Sequence, residues 1–174
     1  MAQSKYEELV VRKPHIIGPG GIQVPIDRIT WRKERPSTGP VIIMSQNLIK
    51  NSNAVIEFGI IWRDGVAGNG QPGNFPPHKH SGFDEIFCCL GMDYQNPHEL
   101  GAEAEFWLGE GDELDKIDIS TTACVYVPAG LAHFPLFWRN VKRPVMFVVV
   151  ICNGFLREDY LKTVVPVPLD GRPK

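Results

Sequence analysis

The sequence has no CxxC pair, no run of lysine and arginine, no apolar stretch of membrane-spanning length and almost no apolar spacing of helical period. Each absence removes a class of protein. A zinc ribbon needs two close cysteine pairs, and a thiol redox motif needs CxxC at a helix start. Cys88, Cys89, Cys124 and Cys152 instead lie in or beside apolar runs, so they are expected to be reduced, structural thiols. Eighteen Lys and Arg stand against 20 Asp and Glu, a formal net charge of -2, and nothing basic is clustered enough to track a phosphate backbone. No nucleic-acid partner is expected. The longest apolar run, VMFVVVIC (145–152), falls far short of the roughly 20 residues that span a bilayer, and the N-terminal MAQSKYEELVVRKP carries acids where a signal peptide would be apolar. No membrane partner is expected, and the expected location is cytoplasmic.

What is present points to β structure. The 174 residues, 43% hydrophobic and 22% charged, suit one globular domain with its own core. Seventeen glycines and 15 prolines punctuate short runs with strand character. These runs are 40–46, 54–62, 84–91, 102–109, 116–120, 123–130, 132–138 and 144–152. Eight such runs separated by turn signals predict a barrel or sandwich. Pro14, Pro19, Pro25, Pro36 and Pro40 punctuate the segment before them, which reads as an extended arm over residues 1–39. The β domain then covers 40–155 and a proline-containing tail covers 156–174, with a helical turn near Arg157–Leu161. HxH occurs once, so no repeat of the domain is expected. A homodimer is expected, because a proline-rich arm and exposed strand edges both favour a second copy.

Chemistry concentrates in FPPHKHSGFDEIF (75–87) and VPAGLAHFP (127–135). Residues two apart in a strand share a face, so His78 and His80 can present two imidazoles to one point while Lys79 turns away. Glu85 is an odd number of positions from His80, and Ser81 and Gly82 supply a turn that can correct its phase. Asp84 then falls on the other face as a solvated or turn-bonding acid, the alternative being that it replaces Glu85 as the ligand. Pro128 and Gly130 predict a sharp turn from which His133 re-enters a strand beside the first cluster. Three imidazoles and a carboxylate suit a first-row divalent ion with open positions. Glu57 is a candidate base or substrate anchor if it faces the interior, and ordinary surface if it does not. Arg63 and Arg139 are candidate anchors for an acidic substrate. One of Cys88 and Cys89 must face inward, while His15 and His98 read as surface residues.

The two segments resemble the motifs of the cupin superfamily. The first, roughly G, five residues, HxH, three or four residues, E, six residues, G, is met by Gly73, His78, His80, Glu85 and Gly91, with each glycine spacer one residue short. The second, roughly G, five residues, PxG, two residues, H, three residues, N, is met at its centre by Pro128, Gly130 and His133. Thr122 stands in place of its glycine and Phe137 in place of its asparagine. The resemblance covers about residues 54–152. It implies an all-β fold, a small jelly-roll barrel (double-stranded β-helix), with His78, His80, Glu85 and His133 ligating one divalent transition metal. Fe2+ is expected, with Mn2+, Ni2+ or Zn2+ as alternatives. The implied activity is that of a metal-dependent enzyme on a small oxygenated or anionic substrate, of dioxygenase, decarboxylase, isomerase or lyase type. The alternative is a non-catalytic binding or sensor protein of the same fold.

Overall fold

The computed structural model describes residues 5–17, 23–25, 37–66 and 77–153. Eleven strands run through them, with two single-turn 3-10 segments and no α-helix among the described residues. The strands are β1 (His15–Ile17), β2 (Gln23–Pro25), β3 (Val41–Met44), β4 (Ala54–Ile61), β5 (Gly65–Val66), β6 (Asp84–Gly91), β7 (Glu99–Leu108), β8 (Asp115–Thr121), β9 (Ala123–Val127), β10 (His133–Arg139) and β11 (Val145–Cys152). All eight expected runs form strands. β1, β2 and β5 were not foreseen, since two or three residues carry too little pattern to read.

The strands make two antiparallel sheets, one ordered β2-β1-β3-β4-β11-β6-β9 and the other β5-β10-β7-β8. This two-sheet arrangement is the expected all-β architecture. Within the segment read as an arm, β1 pairs with β2 on one side and with β3 on the other, and Ser37 bridges to Ile61. Those pairings cover the edge of the larger sheet. The tail at 156–174 and its expected helical turn, like Gly73, lie outside the described residues.

Alternation builds the interior. On β4 the buried positions are Val55, Glu57, Gly59 and Ile61, and on β11 they are Val145, Phe147, Val149 and Ile151. β6 adds Glu85, Phe87 and Cys89. The registers align these residues into rows: Val55 with Ile151 and Glu85, Glu57 with Val149 and Phe87, Gly59 with Phe147 and Cys89. From the smaller sheet Leu100, Phe106, Leu136 and Trp138 close the core, each at most 2% exposed. Each such side chain contributes roughly 1.5–3 kcal/mol by leaving water. Two carboxylates therefore stand on an otherwise apolar inner face.

Candidate metal centre

His78 lies outside any named strand and is placed by one antiparallel bridge. Its N–H donates to the His133 carbonyl at 3.0 Å, and the His133 N–H donates back to the His78 carbonyl at 2.9 Å. The two histidines stand directly opposite each other. The parity expected for HxH holds, because His78 and His80 are both 6% exposed while Lys79 turns outward to an ion pair with Glu110.

Residues 81 and 82 bend, β6 begins at Asp84, and Glu85 arrives on the inner face at 2% exposure. Asp84 does what its parity indicates. Its Oδ1 accepts the Ala129 N–H at 2.8 Å, pinning the 128–131 turn from outside. In that turn Leu131 N–H donates to the Pro128 carbonyl, and Gly130 has φ +90, a conformation that favours glycine. The Gly130 N–H donates to the His80 carbonyl at 2.6 Å, so the two sequence motifs are joined through backbone.

β10 then places His133. Its register against β7 slips between His133 and Leu136, with three positions on β10 spanning the two from Leu108 to Phe106. This bulge buries His133, Phe134, Pro135 and Leu136 in succession, which simple alternation forbids. His133, 1% exposed, faces the cluster from there.

Ligand nitrogens of His78, His80 and His133 lie within 4.8 Å of one another. Glu85 Oε2 is 2.8 Å from His133 Nε2 and 3.3 Å from His80 Nε2. His133 Nδ1 lies 3.2 Å from the Leu131 carbonyl. A carbonyl only accepts, so Nδ1 carries a proton, and in the neutral ring Nε2 turns its lone pair towards Glu85. A neutral His133 would set two acceptors 2.8 Å apart in a buried site, a pair that a divalent cation between them would satisfy. Ligands about 2.1 Å from one ion and at right angles to each other would be about 3.0 Å apart, between the 2.8 and 3.3 Å that separate Glu85 Oε2 from His133 and His80. The donor set therefore fits a divalent ion.

Burial raises the Glu85 carboxyl, but His133 and His80 outweigh it and hold the group down at about 2. Glu57 responds in the opposite direction. It is buried on the inner face, and burial, with the charge of Glu85 added, pushes it up to about 7. It shares a row with Phe87, whose ring is 5.4 Å from that of His133.

The walls are aromatic. Phe83 stacks on His80 at 4.5 Å and Phe134 on His78 at 5.4 Å. The other two aromatics of β10 do not share the place of Phe134. Phe137 lies instead on the outer face, against Arg139, and Trp138 is core beside Phe147. Phe83 and Phe87 were missed, although both lie within two residues of Glu85. Arg139 faces outward towards Glu105 in a groove of about 390 Å³ that also holds Glu103, Lys116 and Asp118, and Arg63 is exposed. Cys89, not Cys88, is the inward thiol, two rows from Glu85. His98 is exposed as expected, but His15 is half-buried in β1 because that segment pairs into the sheet.

No protein-family model matches the chain, and no curated protein matches it. Similar solved structures include a single-residue variant of Streptomyces PAC13 with uridine, 10% identical, with all of both chains covered and a TM-score of 0.51. A cupin-2 domain from Rhodospirillum rubrum is 10% identical over 82% of this chain and 76% of its own, with a TM-score of 0.47. The capsular polysaccharide assembling protein CapF from Staphylococcus aureus is 11% identical over 72% of this chain, with a TM-score of 0.48. This chain spans only 29% of CapF. Similarity at these identities concerns fold. Two antiparallel sheets, with the HxH and PxG motifs joined through backbone and three histidines gathered in the interior, give this chain the fold of the cupins.

Proposed function

We propose that His78, His80, Glu85 and His133 hold one divalent transition metal, Fe2+ or alternatively Mn2+, Ni2+ or Zn2+, and that the protein is a metal-dependent enzyme acting on a small oxygenated, anionic substrate. The observation that supports this most directly is the buried convergence of His78, His80 and His133, with Glu85 Oε2 2.8 Å from His133 Nε2. Three neutral imidazoles and one carboxylate around a 2+ ion leave a formal charge of +1, which favours a carboxylate, enolate or phenolate oxygen. Such an ion, when bound, polarises that oxygen as a Lewis acid and, if it is iron, gives access to O2 chemistry.

The chain supplies the rest. Phe83 and Phe134 keep water from the flanks of His80 and His78, so charge in the site is screened little. Glu57, raised to about 7, can hold a proton near neutral pH and is our candidate for the acid or base. Elemental analysis of the purified protein, beside His80→Ala and His133→Ala, tests the ligand set. Stoichiometric metal in the parent and its loss in both variants is the expected result, and a parent protein without metal would falsify the reading. O2 uptake and product formation against a panel of small acids and diketones then separate oxygenase from non-redox chemistry. Glu57→Gln should keep the metal and lose turnover.

A further inference from the structure

The outer face of the larger sheet carries a pair of thiols that the metal centre does not use. Cys88 on β6 and Cys124 on β9 are register partners, directly opposite each other across an antiparallel ladder, and their Sγ atoms are 3.2 Å apart. Partners in such a ladder have Cα atoms about 4.5–5.5 Å apart, inside the roughly 4.4–6.8 Å range that a disulfide spans. Bond formation needs the sulfurs to close by about 1 Å, to about 2.05 Å, a movement within reach of side-chain rotation. Cys124 is exposed and Cys88 half-buried, so one of the two is open to solvent.

We propose that Cys88 and Cys124 form a reversible disulfide, which makes this face a redox-modification site. The oxidant class is a small-molecule disulfide. The thiolate of Cys124 attacks one sulfur of the oxidant, forming a mixed disulfide and releasing one thiolate. Cys88 loses its proton and attacks Cys124 Sγ, forming the protein disulfide and releasing the second thiolate. Two protein thiols are oxidised, one small disulfide is reduced to two thiols, and the two protons end on those products. Burial pushes the Cys88 thiol up to about 11, with Cys124 adding to the shift, so exposed Cys124 meets the oxidant and Cys88 resolves it. Buried Cys89 is pushed up to about 12 and takes no part.

The cross-link would tether two strands that carry the candidate site. β6 bears Glu85, three residues from Cys88, and β9 runs into the 128–131 turn whose Gly130 N–H holds His80. Oxidation would thus fasten Glu85 and the turn to each other from the far side of the sheet.

The test equilibrates the full-length protein in glutathione buffers from fully reduced to fully oxidised, then quenches, alkylates and maps peptides by mass. The expected result is loss of two of the four alkylatable thiols in one step, with the Cys88 and Cys124 peptides joined and dithiothreitol restoring both. Cys124→Ala should show no such loss, and Cys88→Ala should stop at a glutathione adduct on Cys124. Four alkylatable thiols in fully oxidised glutathione would overturn the proposal. So would a link to Cys89 or Cys152, or a parent protein that stops at the adduct. Because the readout is thiol chemistry, it is independent of whether metal is bound.

Discussion

Glu57 and Glu85 occupy the same inner sheet face and are pushed in opposite directions, because one faces imidazoles and the other apolar walls and a like charge. Glu57 has a folded value of about 7 against an ordinary 4.5, so its contribution to stability is complete below pH 4.5 and is lost as pH rises through 7. At about 1.4 kcal/mol per unit, the loss is about 3 kcal/mol. In metal-stripped protein, urea unfolding at pH 5 and pH 8 should show this fall in the parent and its absence in Glu57→Gln. Glu85 has the reverse sign. Its folded value of about 2 means that it stabilises above pH 4.5 and that this is lost as pH falls towards 2. The two together place the best stability of the metal-free protein on the acid side of neutrality.

Among the elements, the turns and bulges rather than the strand centres set the site. Gly91 closes the first motif at the end of β6, and an added Cβ there would lie 1.9 Å from the Glu99 carbonyl oxygen. Backbone is met, so no side chain can yield. Gly91→Ala should cost on the order of 3 kcal/mol in chemical denaturation. Gly130 has open space around it but φ +90, so Gly130→Ala should cost only about 1–2 kcal/mol, from backbone strain alone. Thr122, the departure from the second motif, has a use visible only in the fold. Its Oγ1 donates to the Pro97 carbonyl and accepts the Gly91 N–H, tying the β8–β9 junction to the end of β6.

For the whole molecule, the candidate ligands come from three places in the chain and are joined only when the two sheets close. An ion bound there would hold the sheets together, since binding to the folded state alone stabilises by about 2.7 kcal/mol at a free metal concentration of 100 Kd. Chelation of the native protein should therefore lower its melting temperature by several degrees, and His133→Ala should show no response to the chelator. Acid would compete for the same candidate ligands, because imidazole and carboxylate bind metal only when deprotonated. Metal content after dialysis should fall as pH falls. The core should absorb little of that change, as Leu100, Leu136, Val145 and Ile151 are fully buried.

The sequence by itself determined the strands long enough to alternate, the shared face of His78 and His80, the inward turn of Glu85 and the outward turn of Asp84. All of these follow from a period of two over a few residues, with Ser81 and Gly82 resetting the phase. Alternation along β4 also made Glu57 either interior or surface, without saying which. Only the tertiary structure decided that, because the choice depends on which face of the sheet is covered. Tertiary structure alone also stacked Phe83 on His80, opposed His78 to His133 through their backbones, half-buried His15, and set Cys88 against Cys124. These depend on register between strands distant in sequence, and register is fixed by the joint packing of both sheets rather than by any local pattern.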